Sequence, residues 1–551
     1  MSRARRSYRA GLAFGIVFLW ALSLPSAGEL GLSVDPRPPV LLLAILAILA
    51  FIGLSGRRVG ALGRWLLASV FVVLTGLQFA AGKVAQTLDR PLDLYFDLRH
   101  VPNLFGLYLD AAGWRGVAIV AAGLAGFVVV LVLAARSLAG IEHAMARPGV
   151  AAPTLLAALL GLVLIAVPLG KDGLVNRGAI ATASHQADSA WRAFAVLHGY
   201  DQRYAAALAA PQPPLAPLPG LKAHDVYLIY VESYGTVALD EPAYRAVLAP
   251  ALEKFAQTVK TAGYQLRSSR LVSPTFGGGS WLAHNTIASG VKLDPLLNEL
   301  VLNGQRKTLP RYLAAAGYRT VEVMPGIKKP YPEGAFWGFD AHYYGAELGY
   351  TGPEFGWFGI PDQYTLREFA ARELRPGRGP LFAQIVLVSS HTPFAPVPPY
   401  LADWRDAGTF ATVPQADWAR IYTPPNWSNL DAPYLESIAY DLKTLGAWLS
   451  RLEGSPLIII LGDHQPPDLT RGAGEAWSVP VYVLSRDPDL VRPFAALGYG
   501  EGPAPAPRAE PEGMEKFLGE FLEAFGATSE EPASEPPQMP GAQAASQPSR
   551  E

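Results

Sequence analysis

Five apolar runs crowd into roughly the first 170 residues of this 551-residue chain, and a run of that kind has few places to go. A helix needs about 20 apolar residues to cross a bilayer. The runs lie at Ala10–Ala27, Pro39–Leu54, Leu62–Ala81, Arg115–Ala135 and Ala151–Gly170, the second being the shortest. The first has the basic start (Arg3, Arg5, Arg6, Arg9) and apolar core of a signal peptide, but four more runs follow, so it reads as a retained helix. Basic residues recur on alternate sides: the N-terminus, then Arg57, Arg58 and Arg64, then Arg136 and Arg147. The positive-inside rule puts these in the cytoplasm, and five spans then put everything after about Gly170 outside. The loop from Lys83 to Trp114, with Asp89, Asp93, Asp97 and Asp110, suits the outer face.

Beyond the membrane, Pro211–Pro219 is too proline-rich to continue a helix and predicts a stiff, extended linker. From about Ser529 onward Glu, Pro, Ser, Gln and Ala dominate, which predicts a disordered tail. The expected organisation is therefore a membrane region over 1–170, a juxtamembrane segment and linker over 171–221, a catalytic domain over 222–527 and a tail over 528–551. Inside the third unit, the short apolar runs Val226–Val231, Tyr318–Met324, Leu381–Val388 and Leu457–Leu461 read as strands. Helical stretches at Pro250–Ala262, Thr308–Ala315 and Ala432–Leu452 separate them. This alternation predicts an α/β domain with a mainly parallel central sheet covered on both faces. Chemistry in such sheets gathers at the carboxyl ends of the strands.

Polar residues fall there. Glu232 follows VYLIYV directly, as a metal ligand or a helix-capping acid. Gly277–Gly279 lead into Ser280 and a helix to about Ser289, which offers free N–H groups and a positive dipole to an anion. Ser280 is thus placed as a nucleophile or as a plain helix cap. His391 sits just past a strand in IVLVSSHTPF, in the site or merely packed at the strand end. Asp463 and His464 follow the Leu/Ile strand LIIIL and Gly462, and adjacent Asp and His can both reach one divalent ion. The chain has no cysteine, so disulfides and thiolate metal sites are excluded. Its 45 basic and 47 acidic side chains carry no basic excess for binding nucleic acid.

Taken in order, an acid after the first strand, a hydroxyl opening a helix and a late Asp–His resemble the alkaline phosphatase–sulfatase superfamily. Gly290 lies ten residues after Ser280, as in sulfatases and alkaline phosphatases, and Ser289–Lys292 (SGVK) resembles the helix end of the latter. With its membrane runs, the chain over about 10–525 is similar to lipoteichoic acid synthase and the phosphoglycerol transferases of periplasmic glucans. The resemblance implies a sulfatase-like domain in which Glu232, Ser280, Asp463 and His464 bind one divalent cation (Mn²⁺, Mg²⁺ or Zn²⁺). It makes Ser280 the nucleophile, and sets His391 on the substrate's phosphate or leaving group. MPGIKKPYPEGAFWGFDAHYY resembles the substrate-binding loop, with Lys328, Lys329, Tyr331 or Trp337 in a headgroup pocket, the alternative being a surface loop with solvated lysines. Asp362 looks like a structural acid of the family.

Departures from that pattern bear on the reaction. Ser280 stands where the lipid-headgroup transferases usually have Thr. Sulfatases need C/S-x-P-x-R, and Ser280–His284 lacks both Pro and Arg, which argues against sulfate esters. His284 occupies the arginine position, facing the site or packing on the helix. Phosphoethanolamine transferases generally carry several disulfides, which this chain lacks. The implied protein is a multi-pass enzyme of the bacterial inner membrane with its catalytic domain on the periplasmic side. It would move a phosphoglycerol-like headgroup from a membrane phospholipid to a glycan or polymer acceptor through a phosphoserine intermediate. The alternative is a membrane-anchored phosphodiesterase, phosphatase or sulfatase-like hydrolase.

Overall fold

The computed structural model describes residues 3–526 except 29–30, 89, 165–174, 199–201, 210, 330, 425, 427–428, 468, 470–476 and 507–511. The tail expected over 528–551 and the end of the fifth apolar run lie outside the described residues.

Among the described residues, two helical segments, Gly60–Gln86 and Gly113–Met145, are long and apolar enough to cross a membrane. Three shorter apolar helical stretches, Ala10–Leu22, Val40–Leu54 and Pro148–Val163, pack beside them through a cluster that includes Leu19, Leu42, Phe71, Ala134 and Ala158. The outward faces stay apolar: Leu62, Leu66, Leu124, Phe127 and Leu156 are all exposed. The first run ends early, because the chain turns at Ser23 into a hairpin of β1 (Pro25–Gly28) and β2 (Gly31–Val34). The loop expected from Lys83 to Trp114 is largely helical instead. Asp93 caps a helix there by accepting from Tyr95 N at 2.9 Å, and that helix runs on to Met145 through a kink at Gly113. Arg64 pairs with Glu142 (2.6 Å) at one end of the bundle, near the basic loops. At the other end Gln78 donates to Pro25 O (3.0 Å) and Val40 N to Asn176 O (3.0 Å), where the chain leaves for the second unit.

The linker is strapped down as well as extended. Gln212 exchanges two hydrogen bonds with the Lys307 backbone (2.8 and 2.9 Å), and Tyr312 donates to Pro213 O. Beyond it lies one sheet built from β3 (Val226–Val231), β4 (Gln265–Val272), β5 (Arg319–Met324), β6 (Ala341–Tyr344), β7 (Leu381–Leu387), β8 (Leu457–Gly462), β9 (Ser478–Ser485), β10 (Gly500–Glu501) and β11 (Glu512–Gly513). The order is β10–β4–β9–β8–β3–β7–β5–β6, with β11 beside β4. The run from β8 through β6 is parallel, while β4, β9 and β10 add antiparallel pairs on the other side. β3 and β8 are buried along their whole length, so continuous apolar runs are what their positions demand. Helices cover both faces, Asp431–Leu449 on one and Ser280–Ser289 on the other, each over its own apolar core.

The helix expected from Pro250 begins at Pro242 and runs to Thr261. Its start is set by Pro242 in the first turn and by Glu241, whose carboxylate accepts from Ala243 N. Pro250 sits inside it.

Candidate active site

Register explains why the chemistry converges. β3 lies between β8 and β7, with Val231 level with Gly462 on one side and Leu387 on the other. One residue further, Glu232 and Asp463 stand side by side, and four residues past Leu387 comes His391. The backbones nearly touch there: a Cβ on Gly462 would lie 1.9 Å from Tyr234 O. Ser280 arrives from the other direction. Gly277, Gly278 and Gly279 all take positive φ, and the helix then begins on Ser280 itself.

The expected metal set comes together. Ser280 Oγ donates to Glu232 Oε2 at 3.0 Å and lies 3.2 Å from His464 Nε2, which is 3.3 Å from Glu232 Oε1. Ligand atoms of Glu232, Asp463 and His464 all fall within 4.8 Å of one another. All three residues are buried. The His464 Nδ1–H points at Gln465 O (2.8 Å), which turns Nε2 toward the centre. Asp463 Oδ1 accepts from Ser233 N (2.8 Å) and His464 N (2.7 Å), yet Oδ2 is buried with no partner. A fully buried carboxylate oxygen left without a donor fits a cation as its missing partner. One imidazole nitrogen with two carboxylates and a hydroxyl is also a donor set suited to Mn²⁺, Mg²⁺ or Zn²⁺.

The charges are mutually tuned. Burial opposes ionisation of Glu232, but the His464 ring beside it prevails and holds the carboxyl well below its usual range. Burial and then the Glu232 charge push Asp463 up to about 8. Against its own burial, His464 is raised to about 9, first by Asp463 and then by Glu232. Without a cation, the site therefore keeps protons at pH 7 that a cation would displace.

Other sequence-predicted residues fall at different distances from this centre. His391 is half-buried between the rings of Trp357 and Phe358, its Nδ1–H held by Thr392 O (2.6 Å) and its Nε2 unengaged by that bond. Burial lowers its pKa, and Glu232 acts in the opposite sense. His284 is buried 4.1 Å from the Tyr230 ring with neither nitrogen partnered, and burial takes it down to about 3, so it is neutral. Trp337 stands in the core behind the helix that begins on Ser280, with Leu282 and Ala288, rather than in an open pocket. Its indole N–H reaches the Tyr331 hydroxyl at 3.4 Å, while Lys328 and Lys329 are exposed. Asp362 accepts from Val388 N (2.7 Å) and Ser389 N (2.9 Å) and so pins the turn that presents His391.

Four residues escaped the sequence reading. Ser233 Oγ donates to Glu232 Oε1, Ser390 Oγ to Glu232 O, Ser273 Oγ to Asp463 O, and the Gln465 amide to Thr236 and Ser478. Three of them adjoin Glu232, His464 or His391 in sequence, which is the only signal they gave. Ser233 also holds φ at +56°, a strained conformation for a non-glycine residue at a ligand's shoulder.

No protein-family model and no curated protein matches the chain. Among solved structures it is similar to the lipooligosaccharide phosphoethanolamine transferase A of Neisseria meningitidis (11% identity, 84% of each chain, TM-score 0.43). It is likewise similar to the lipoteichoic acid synthase LtaP of Listeria monocytogenes (14% identity, 57% of this chain and 74% of that one, TM-score 0.39). A third is the phosphoglycerol transferase GacH of Streptococcus pyogenes bound to sn-glycerol-1-phosphate (10% identity, 60% and 91%, TM-score 0.33).

Proposed function

We propose that this chain is a membrane-anchored, metal-dependent phosphoester enzyme of the alkaline phosphatase–sulfatase superfamily. Its reaction is the transfer of a phosphoglycerol-like headgroup from a membrane phospholipid to a glycan or polymer hydroxyl. One observation carries the reading: the Ser280 hydroxyl, at the N-terminus of a helix, is wedged between Glu232 and His464 beside the unpaired Asp463 Oδ2. The order of motifs along the chain supports the same family. We place five spans in the bilayer, the three shorter helices packing beside the two long ones, with the catalytic domain on the periplasmic side.

A divalent cation held by Glu232, Ser280, Asp463 and His464 would supply Lewis-acid stabilisation of negative charge on the reacting oxygens. The protein's own groups do the rest. Ser280 Oγ, oriented by its hydrogen bond to Glu232, attacks phosphorus and gives its proton to solvent, recovering one when it is freed. Free N–H groups of the first helical turn face the phosphoryl oxygens. The bond from phosphorus to the diacylglycerol oxygen breaks, and His391, protonated at Nε2 as well as Nδ1 beside the negative phosphate, gives that alcohol a proton and ends neutral. The acceptor hydroxyl then attacks the phosphoserine, returns a proton to His391 and frees Ser280.

The test is the intact mass of wild type and Ser280→Ala after incubation with phosphatidylglycerol and Mn²⁺. A metal-dependent glycerol phosphate adduct on wild type alone is the expected result. Release of free glycerol phosphate without any acceptor would favour the hydrolase. An adduct on Ser280→Ala would overturn the assignment of the nucleophile.

A further inference from the structure

The helix Gly178–Leu197 joins the bundle to the catalytic domain, and its two sides differ sharply. One side buries Ala193 and Val196 against Phe96 of the bundle and Leu296 of the catalytic domain. Ser189 donates to Asp93 there, and Gln186 bridges Leu94 N (2.8 Å) and Leu92 O (2.6 Å). The opposite side leaves Ile180, Trp191, Phe194 and Leu197 exposed, Trp191 at 68%. At 100° per residue, Ile180, Ala187, Trp191 and Phe194 form one stripe, and the charged Asp188 and Arg192 lie along its edge. Trp191 and Phe194 stack at 5.6 Å.

An exposed aromatic stripe edged by charge is the pattern of a helix lying in a membrane surface. Continuity names the occupant. Through Gln186 and Ser189 the helix is tied to the first residues of Leu94–Met145, whose part beyond Gly113 is long and apolar enough to cross a bilayer. Leu98, Val101 and Trp114, on the stretch between, are exposed as well.

We propose that Gly178–Leu197 is an in-plane membrane helix whose Trp191–Phe194 stripe seats in the headgroup–acyl boundary of the leaflet on the catalytic side. This rests on the membrane-anchored reading above and extends it, because the helix also carries the catalytic domain. Leu296 belongs to the helix Pro295–Leu302, where Asn298 Oδ1 accepts from Asn285 Nδ2 at 2.9 Å. Asn285 lies on the helix that begins with Ser280. The leaflet is thereby linked through two packed helices to the nucleophile, which sets the height of Ser280 over the surface. The substrate class that fits such a bearing is an amphiphile whose phosphate stays at the water–lipid boundary.

The chain lacks cysteine, so single cysteines can be placed without background. Spin labels at Phe194→Cys, Ala187→Cys, Arg192→Cys and, in the long apolar helix, Val128→Cys are compared in the full chain in phosphatidylglycerol-containing nanodiscs. Accessibility is read to oxygen, which partitions into lipid, and to a water-soluble nickel chelate. The expected result is an oxygen-to-nickel ratio several-fold higher at 194 and 187 than at 192, with 128 higher still. If 194 and 187 collide with nickel as freely as 192, the stripe faces water and the proposal falls. If they meet neither collider, protein covers them and it falls equally. Both outcomes leave the anchored reading intact while position 128 still reports lipid. Nickel access at 128 would remove the anchored reading and this inference with it.

Discussion

Replacing Asp463 by Asn should make the metal-free protein more stable while ending its response to metal. Asp463 Oδ1 already accepts two backbone N–H groups, from Ser233 and His464, and an amide oxygen keeps both. The other oxygen faces Glu232, to which an amide NH₂ can donate. In wild type, burial and the Glu232 charge lift the carboxyl from 3.8 to about 8. The folded state therefore binds a proton that the unfolded state has released, and its contribution to stability falls as pH rises through that window. Holding that proton at neutral pH costs the metal-free fold on the order of a few kcal/mol, shared between the coupled Glu232 and Asp463. The amide needs no proton but forfeits the attraction to the His464 ring, so a net gain of about 2 kcal/mol is expected. The assay is thermal unfolding of the full chain with chelator and with Mn²⁺ from pH 5 to 8. With chelator the variant should melt about 4 °C or more above wild type at pH 7, the gap shrinking toward pH 5. Mn²⁺ should raise wild type only. A variant less stable than wild type at pH 7 to 8, or one still stabilised by Mn²⁺, would refute the account of Asp463 as an acid that holds its proton until a cation displaces it.

Because the empty site retains protons near Asp463 and His464, raised to about 8 and about 9, Mn²⁺ affinity should climb steeply between pH 6 and 8. Calorimetry in two buffers of different ionisation heat should show proton release on binding. Ser280→Ala should lower turnover by about a thousandfold or more, and Ser280→Thr by far less, since the hydroxyl survives; phospholipid turnover measures both. A Cβ at Gly462 would overlap Tyr234 O, so Gly462→Ala should cost about 3 kcal/mol or more and lower the yield of folded protein. Asp441, buried beside Asp362, is held protonated by burial and then by the Asp362 charge. Asp441→Asn should leave stability at pH 7 within about 1 kcal/mol of wild type, whereas Asp441→Lys should prevent folding, both read by denaturant titration.

The convergence of Glu232, Ser280, Asp463 and His464 was legible because its signals are local. A strand buried on both faces has to be a continuous apolar run, and the first polar residue after it marks the carboxyl edge of the sheet. VYLIYV then Glu232, and LIIILG then Asp463, were readable for that reason, and both strands run parallel with adjacent ends. What the sequence withheld depends on distant partners. β4, QLRSSRLV, looks like surface, yet Arg270 is buried because Asp240 and Pro505 O receive its guanidinium. β9 carries Pro480, which normally argues against a strand inside a sheet. The N-terminal helical half was legible only in outline. Apolar content gives the length of a run but not where the chain turns, so Leu24–Ala27 counted toward a helix although Ser23 ends it. The stretch 94–112 reads as a loop because its apolar residues are spread among charges, yet it is helical. Its partner Gly178–Leu197 went unread on the same ground: neither a spanning run nor a soluble core pattern describes a helix with protein on one side and an exposed aromatic stripe on the other. Charge and alanine there were signs of an interface, and only the contacts of Ser189, Ala193 and Val196 reveal which side each partner takes.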